Sequence, residues 1–394
     1  MGLSDTPSAS RLHIGIFGKR NSGKSTLINK LTSQDIAIVS PVAGTTTDPV
    51  YKSMEILPLG PVMLIDTPGL DDCGALGEKR IKKTLDIIKK CDMAIVLCVA
   101  KDGVTPLESD IEDRLKKRGV PYITVFNKSD ECTEFKDGRL YINASEGKNT
   151  DKVLEALASL KPAPEKPLLS GTVNEGDTVI LVMPMDEAAP KGRIILPQQQ
   201  VLREILDLKA QALCTVPQNL PETLNSLKKA PDLVITDSQA FSEVSAALPE
   251  DIRLTSFSIL YAKKKADFDA CIAGAEKLGK LKSSDKILIS EGCTHHRQCG
   301  DIGTVKLPAW IRKHTGKDFE FEFTSGGGFP EDLSPYALIV HCGGCMLNER
   351  EMQFRQSSAE EKGVPYTNYG ILIAYINGIL KRSLAPFDEY ASMI

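Results

Sequence analysis

The chain has 394 residues, enough for two or three domains and too many for a single small module. Its 42% hydrophobic and 25% charged residues are those of a folded globular protein, which excludes a disordered or fibrous chain. A formal net charge of -4 gives no general attraction to nucleic acid or to an anionic membrane surface, so neither is expected as a partner.

The N-terminus has no apolar stretch of the secretory type, and a cytoplasmic address is expected by default. Met1 to Thr6 fits a myristoylation pattern, but one short enough to match by chance. The first 160 residues alternate β-type runs with helical patterns, as βαβ units on a parallel sheet do. The expected strands are His13 to Phe17, Val62 to Asp66, Met93 to Val99 and Tyr122 to Asn127. The longest apolar stretch, Met93 to Ala100, is far too short to span a membrane and reads as a buried strand. Lys161 to Pro167 holds three prolines and reads as a linker.

Alternation then resumes, with strands expected at Thr178 to Met183, Asp232 to Thr236 and Thr255 to Tyr261, and an amphipathic helix at Leu202 to Cys214. Lys263, Lys264 and Lys265 read as a solvated helix face. Two further strands, Lys286 to Ser290 and Tyr336 to Val340, each run into a cysteine and histidine cluster. The expected architecture is α/β throughout: a P-loop domain with a parallel sheet over 1–166, followed by α/β segments over 167–265 and 266–394.

Gly18 to Ser25 reads GKRNSGKS, the G-x-x-x-x-G-K-[ST] pattern, between a strand and the helical run from Thr26 to Leu31. Its glycines let successive N–H groups face phosphates, and the helix N-terminus adds partial positive charge. Lys24 is expected on the β- and γ-phosphates and the Ser25 hydroxyl on Mg2+. Asp66-Thr67-Pro68-Gly69 places a carboxylate near the metal and the Gly69 N–H near the γ-phosphate. Asn127-Lys128-Ser129-Asp130 ends another strand; a carboxylate there accepts from N1–H and the 2-amino group of guanine, a donor pair adenine lacks. GTP and GDP are therefore the expected nucleotides.

At these motifs the chain resembles the bacterial GTPases grouped with Era and MnmE. Gly44 to Asp48, GTTTD, resembles their first switch, which implies Thr46, with Thr45 its rival, as a second Mg2+ ligand. Asn143-Ala144-Ser145 resembles a degenerate form of their last guanine loop, with Ala144 the contact. Leu70 stands where Ras-like enzymes orient water with glutamine. The resemblance implies K+ instead, held partly by Asn21, and slow, potassium-stimulated hydrolysis. The expected catalytic set is thus Asn21, Lys24, Ser25, Thr46, Asp66 and Gly69. Gly18, Ser22, Gly23, Thr26, Asn127, Lys128, Asp130 and Ala144 complete the nucleotide contacts.

Ten cysteines without an export signal are expected to be reduced. Cys73, Cys91, Cys98, Cys132, Cys214 and Cys271 stand singly and read as packing thiols. Cys293-Thr294-His295 and His341-Cys342-Gly343-Gly344-Cys345 differ, because each caps an expected strand. If those strands are parallel neighbours, the clusters meet at one sheet edge. Structural zinc, an iron–sulfur cluster and a redox dithiol of Cys342 and Cys345 all suit the pattern.

The union of these two patterns, with Asp301 to Pro308 (DIGTVKLP) and Tyr369 to Leu380 (YGILIAYINGIL), resembles the HydF family of [FeFe]-hydrogenase maturation GTPases and scaffolds. That resemblance implies a [4Fe-4S] cluster on Cys293, Cys342 and Cys345 with an exchangeable fourth position. It also implies a dimerising middle segment, a homodimer or higher assembly, and as partners the radical-SAM maturases and the apo-hydrogenase. His295 and His341 are the candidate fourth ligands, or donors of hydrogen bonds to sulfur. His296 and Cys299 are read as non-ligands, His13 and His314 as ordinary surface or strand-end residues, and Glu389 as an alternative carboxylate for the open iron. The expected function is a GTP-hydrolysing scaffold that assembles or delivers a diiron precursor. The alternative is an RNA- or ribosome-associated GTPase with structural zinc.

Overall fold

The computed structural model describes residues 6–32, 40–42, 50–67, 84–160, 166–185, 194–293 and 301–393. The chain divides into two compact units, Met1–Pro164 and Glu165–Ile394.

In the first unit, strands β1 (Leu12–Phe17), β2 (Ser40–Val42), β3 (Val50–Ile56), β4 (Gly60–Asp66), β5 (Met93–Val99), β6 (Tyr122–Asn127) and β7 (Leu140–Tyr141) form one sheet in the order β2-β3-β4-β1-β5-β6-β7. The run from β4 to β7 is parallel, and β2 and β3 extend it antiparallel. Helices α1 (Lys24–Thr32), α2 (described over 84–90), α3 (Pro106–Lys117) and α4 (Thr150–Ser159) accompany it. Helices on both faces explain why every residue of β5 is buried and why the strand reads as continuously apolar. Ile14 and Ile16 pack with Leu27, Leu31, Val153 and Leu157 on one face, while Phe17, Ala94 and Val96 pack with Ile111 and Leu115 on the other.

The second unit carries two parallel four-stranded sheets. One, ordered β11-β10-β8-β9, comprises β8 (Thr178–Val182), β9 (Gln211–Thr215), β10 (Leu233–Thr236) and β11 (Leu254–Ser256). The other, ordered β13-β12-β14-β15, comprises β12 (Lys286–Glu291), β13 (Glu320–Ser325), β14 (Leu338–His341) and β15 (Tyr366–Asn368). A single hydrophobic core runs through both, from Val179 and Val234 to Ile287 and Val340. Its helices include α5 (Leu196–Asp207), α6 (Leu220–Ser226), α7 (Phe241–Ala247), α8 (Phe257–Lys265), α9 (Phe268–Glu276), α10 (Leu307–Thr315), α11 (Glu349–Glu361), α12 (Tyr369–Ile376) and α13 (Leu380–Leu384).

Three expectations are corrected here. The helix expected at Leu202 to Cys214 is α5, which ends at Asp207; Lys209 at φ 57° turns the chain, and residues 211–215 become β9. The strand expected at Thr255 to Tyr261 stops at Ser256, whose side chain accepts the Ile259 N–H at 3.2 Å and caps α8. Lys265, read as solvated, is 6% exposed, because α8 is buried on most of its circumference. The linker expected at Lys161 to Pro167 falls mostly outside the described residues. Among the described residues no helix is long and apolar enough to cross a membrane.

Candidate functional site

Each unit carries one candidate site at the carboxyl edge of a parallel sheet. In the first, β1 lies between β4 and β5, so the loop after Phe17 emerges beside Asp66, whose register partner is Ile16. Gly18, Asn21 and Gly23 take φ values of 153°, 59° and 94°. A Cβ on Gly23 would collide with the Asn127 carboxamide, so the loop requires glycine there for space as well as conformation. Lys24 is buried within the loop and donates to the carbonyls of Gly18 at 3.0 Å and Lys19 at 2.9 Å.

The Ser25 hydroxyl lies 2.6 Å from Asp66 Oδ2. Burial raises the Asp66 pKa, opposed by the Ser25 hydrogen bond and by the charges of Lys24 and Lys52. Asp66 Oδ1 and the Ser22 hydroxyl are buried with no hydrogen-bond partner among the described residues. An orphaned carboxylate oxygen beside a hydroxyl suits Mg2+, and an orphaned hydroxyl inside a phosphate loop suits an anionic oxygen. The donor set therefore fits a magnesium–nucleotide complex.

Asn127 ties this loop to the guanine side. Its Nδ2 donates to the Ser22 carbonyl at 2.8 Å, and its Oδ1 accepts the Ala144 N–H at 2.9 Å. Asn143 Nδ2 donates to Asp130 Oδ1 at 2.9 Å, while its own Oδ1 accepts from the Ser145 hydroxyl at 2.6 Å. The degenerate Asn143-Ala144-Ser145 turn thus orients the carboxylate expected to read guanine. Lys128 lies between them at φ 59°. Thr46, Gly69, Leu70 and the GTTTD stretch lie outside the described residues. Glu108, which the motifs did not single out, is fully buried, and its Oε1 accepts the Lys19 N–H at 3.3 Å. Its signal was the T-x-x-E capping box begun by Thr105.

In the second unit β12 and β14 are adjacent and parallel, with Ser290 opposite His341. Gly292-Cys293 and Cys342 to Cys345 therefore leave the same edge. Cys342 Sγ accepts N–H groups from Gly292 at 3.1 Å and Gly344 at 3.4 Å. Its thiol is pushed up to about 12, first by burial and then by Cys293, while the Gly292 N–H acts in the opposite direction. The neighbouring thiols of Cys293 and Cys345 both oppose ionisation of Cys342, which becomes a thiolate when a cation neutralises it. The thiol chemistry suits iron–sulfur and zinc alike, although among the described residues no three His, Cys, Asp or Glu side chains stand at the spacing of a single metal ion.

His341 does not present a ring nitrogen for ligation. Nε2 lies 3.0 Å from Arg355 Nη1 and Nδ1 2.8 Å from the Cys342 carbonyl. Burial, then the Arg355 charge, hold its pKa down to about 3. His295, His296 and Cys299 lie outside the described residues. Glu389 is exposed and lies 3.9 Å from Lys263, and His13 is buried beside Asp92 rather than at the surface. Sequence reasoning missed Arg355 and Lys265, because nothing in a single chain marks which surface-type cation turns inward.

Residues 13–128 match the model of the 50S ribosome-binding GTPase family, residues 168–266 the hydrogen maturase F dimerization domain and residues 269–386 the hydrogen maturase F tetramerization domain. The tRNA modification GTPase MnmE of Bordetella petrii is 39% identical over 166 residues, which is 40% of this chain and 36% of that protein. GTPase Der of Kosmotoga olearia is 36% identical over 128 residues, 31% of this chain and 29% of that protein. The chain thus covers about a third of the length of these curated relatives. The first unit is a GTPase domain, and the two remaining matches together take in more than half of the chain.

Proposed function

We propose a function from one premise: the chain belongs to the hydrogen maturase F family. On that premise it is a GTP-hydrolysing scaffold that carries a [4Fe-4S] cluster and assembles or delivers a diiron precursor in [FeFe]-hydrogenase maturation. Residues 1–166 bind and hydrolyse GTP, 167–265 associate chains into dimers, and 266–394 hold the cluster. The partners are the radical-SAM maturases and the apo-hydrogenase.

Cys293, Cys342 and Cys345 would hold the cluster. When bound, it supplies an iron not fully ligated by thiolate, which accepts and releases an exchangeable donor. This chain's residues prepare that edge: Gly292 and Gly344 direct N–H groups at Cys342 sulfur, and His341, engaged at both nitrogens, leaves the fourth position to another donor. In the first unit Lys24, Ser25 and Asp66 bind phosphate and Mg2+, and GTP turnover acts as a switch on partner association. Hydrolysis is slow and K+ stimulated, with Asn21 holding the ion.

The observation that carries the reading is the emergence of Cys293 and Cys342 from adjacent parallel strands, with two backbone N–H groups on one sulfur. The test is the iron, sulfide and zinc content of protein purified without oxygen, with electron paramagnetic resonance before and after reduction. About four irons and four sulfides per chain are expected, with a reduced-cluster signal that Cys342→Ser abolishes. A colourless protein with zinc and no cluster after anaerobic reconstitution overturns the reading in favour of a zinc-bearing GTPase.

A further inference from the structure

The turn that carries Cys345 has its amide dipoles sorted by direction. On one side an N–H meets sulfur: Gly344 donates to Cys342 Sγ at 3.4 Å. On the other side the carbonyls of Gly344 and Leu347 accept from one buried ammonium, Lys265 Nζ, at 2.9 Å and 2.6 Å. The Gly344 carbonyl also accepts the Leu347 N–H at 3.0 Å, which closes the turn. Lys265 is the last residue of α8, and its Nζ stands 5.0 Å from the centre of the Tyr261 ring on the same helix. A helix within the stretch matched to the dimerization domain therefore clamps a turn within the stretch matched to the tetramerization domain.

We propose that Lys265 is a positioning residue of the cysteine edge: it holds the turn of residues 344–347 with the Gly344 N–H towards Cys342 sulfur and sets a positive charge behind that turn that favours the more anionic, reduced state of a cluster held there. The inference rests on the cluster reading above for its electrostatic half only. The physical basis is that a unit charge within a few ångströms, in a poorly solvated site, shifts a one-electron equilibrium by a factor readable in a titration. An ammonium that bridges two carbonyls of one turn also restrains that turn whether or not metal is bound.

The test compares full-length wild type, Lys265→Met and Lys265→Arg after anaerobic reconstitution, by iron content, melting temperature and a redox titration followed by electron paramagnetic resonance. In Lys265→Met iron content is expected to match wild type, while at the wild-type midpoint the ratio of reduced to oxidised cluster falls about tenfold. Lys265→Arg is expected to recover most of that ratio. Equal midpoints in Lys265→Met and wild type, or equal shifts in the two variants, overturn the electrostatic half. If Lys265→Met does not fold, Lys265→Gln serves as the neutral variant with the same expectations. Amide exchange at residues 344–347 in metal-free protein is expected to quicken about tenfold in the neutral variant, and unchanged exchange overturns the positioning half. That arm needs no cluster, so wild type that takes up no iron defeats the proposed function and the electrostatic half, while exchange still decides the role of Lys265 in the turn.

Discussion

Arg355 Nη1 lies 3.0 Å from His341 Nε2, and both side chains are buried directly behind Cys342. A guanidinium only donates, so Nε2 is the acceptor and Nδ1 carries the proton it gives to the Cys342 carbonyl. Arg355 thereby sets the tautomer of the histidine and, through it, one carbonyl of the cysteine loop. The same guanidinium is paired with Glu351 at 2.6 Å and donates to Ser290 Oγ at 3.4 Å.

Arg355→Leu removes the guanidinium that the buried Glu351 carboxylate pairs with at 2.6 Å, and a cost on the order of 3–5 kcal/mol is expected. Denaturant unfolding of the second unit measures it. The Arg355→Leu/Glu351→Leu pair is expected to recover part of the loss, because both members of the buried ion pair are then replaced by apolar groups. A double variant as unstable as the single one contradicts this account.

Asn21 sits at φ 59°, a conformation glycine adopts without strain. Asn21→Gly therefore removes the carboxamide while keeping the loop, whereas Asn21→Ala adds roughly 1 kcal/mol of backbone strain. Phosphate release by Asn21→Gly is expected to be about tenfold slower than wild type in K+ and equal to it in Na+. Equal wild-type rates in the two salts remove potassium from the mechanism.

Asp130 is held by Asn143 and is expected to accept both N–H donors of guanine. Asp130→Asn replaces one acceptor with a donor and costs about 2–4 kcal/mol, so GTP binding weakens roughly 30- to 1,000-fold. Xanthosine triphosphate, whose 2-oxo group accepts that donor, is expected to bind the variant more tightly than GTP does. Titration with fluorescent analogues of both nucleotides decides.

Burial raises the Asp66 pKa, so the folded chain holds that proton more firmly than the unfolded chain. The associated stability is complete at low pH and is lost as pH rises through the raised value. At pH 7 without Mg2+, Asp66→Asn is therefore expected to melt no lower than wild type. Its Mg2+-dependent tightening of GTP binding is expected to fall about tenfold or more, because a neutral amide is a poor ligand for a hard cation. In wild type, that tightening is expected to weaken on acidification before the ordinary carboxylate range is reached. Scanning calorimetry and nucleotide titration across pH check both expectations.

Much of the first unit was legible in sequence. Met93 to Val99 and Tyr122 to Asn127 are strands to the residue, since a strand covered on both faces must be apolar throughout and its ends fall where polar motifs begin. The second unit was less legible. Its helix α8 follows a strand with no loop between them, and a run of aromatic and aliphatic residues has no period that distinguishes strand from buried helix; only the Ser256 cap does.

What the sequence determined by itself is chemistry attached to local geometry: the phosphate loop, the Asp66 and Asp130 carboxylates, and the cysteines at strand ends. Those are set by residue type and short spacing, because each motif fixes the backbone turn that presents its own acting group. The tertiary structure alone decided which long-range side chains serve them. Arg355 reaches His341 across 14 positions, Asn127 reaches the Ser22 carbonyl across 105, and Lys265 reaches the Gly344 carbonyl across 79. An arginine or lysine carries the same preference for water wherever it stands, and only the packing of the completed core fixes which ones are buried and what they hold.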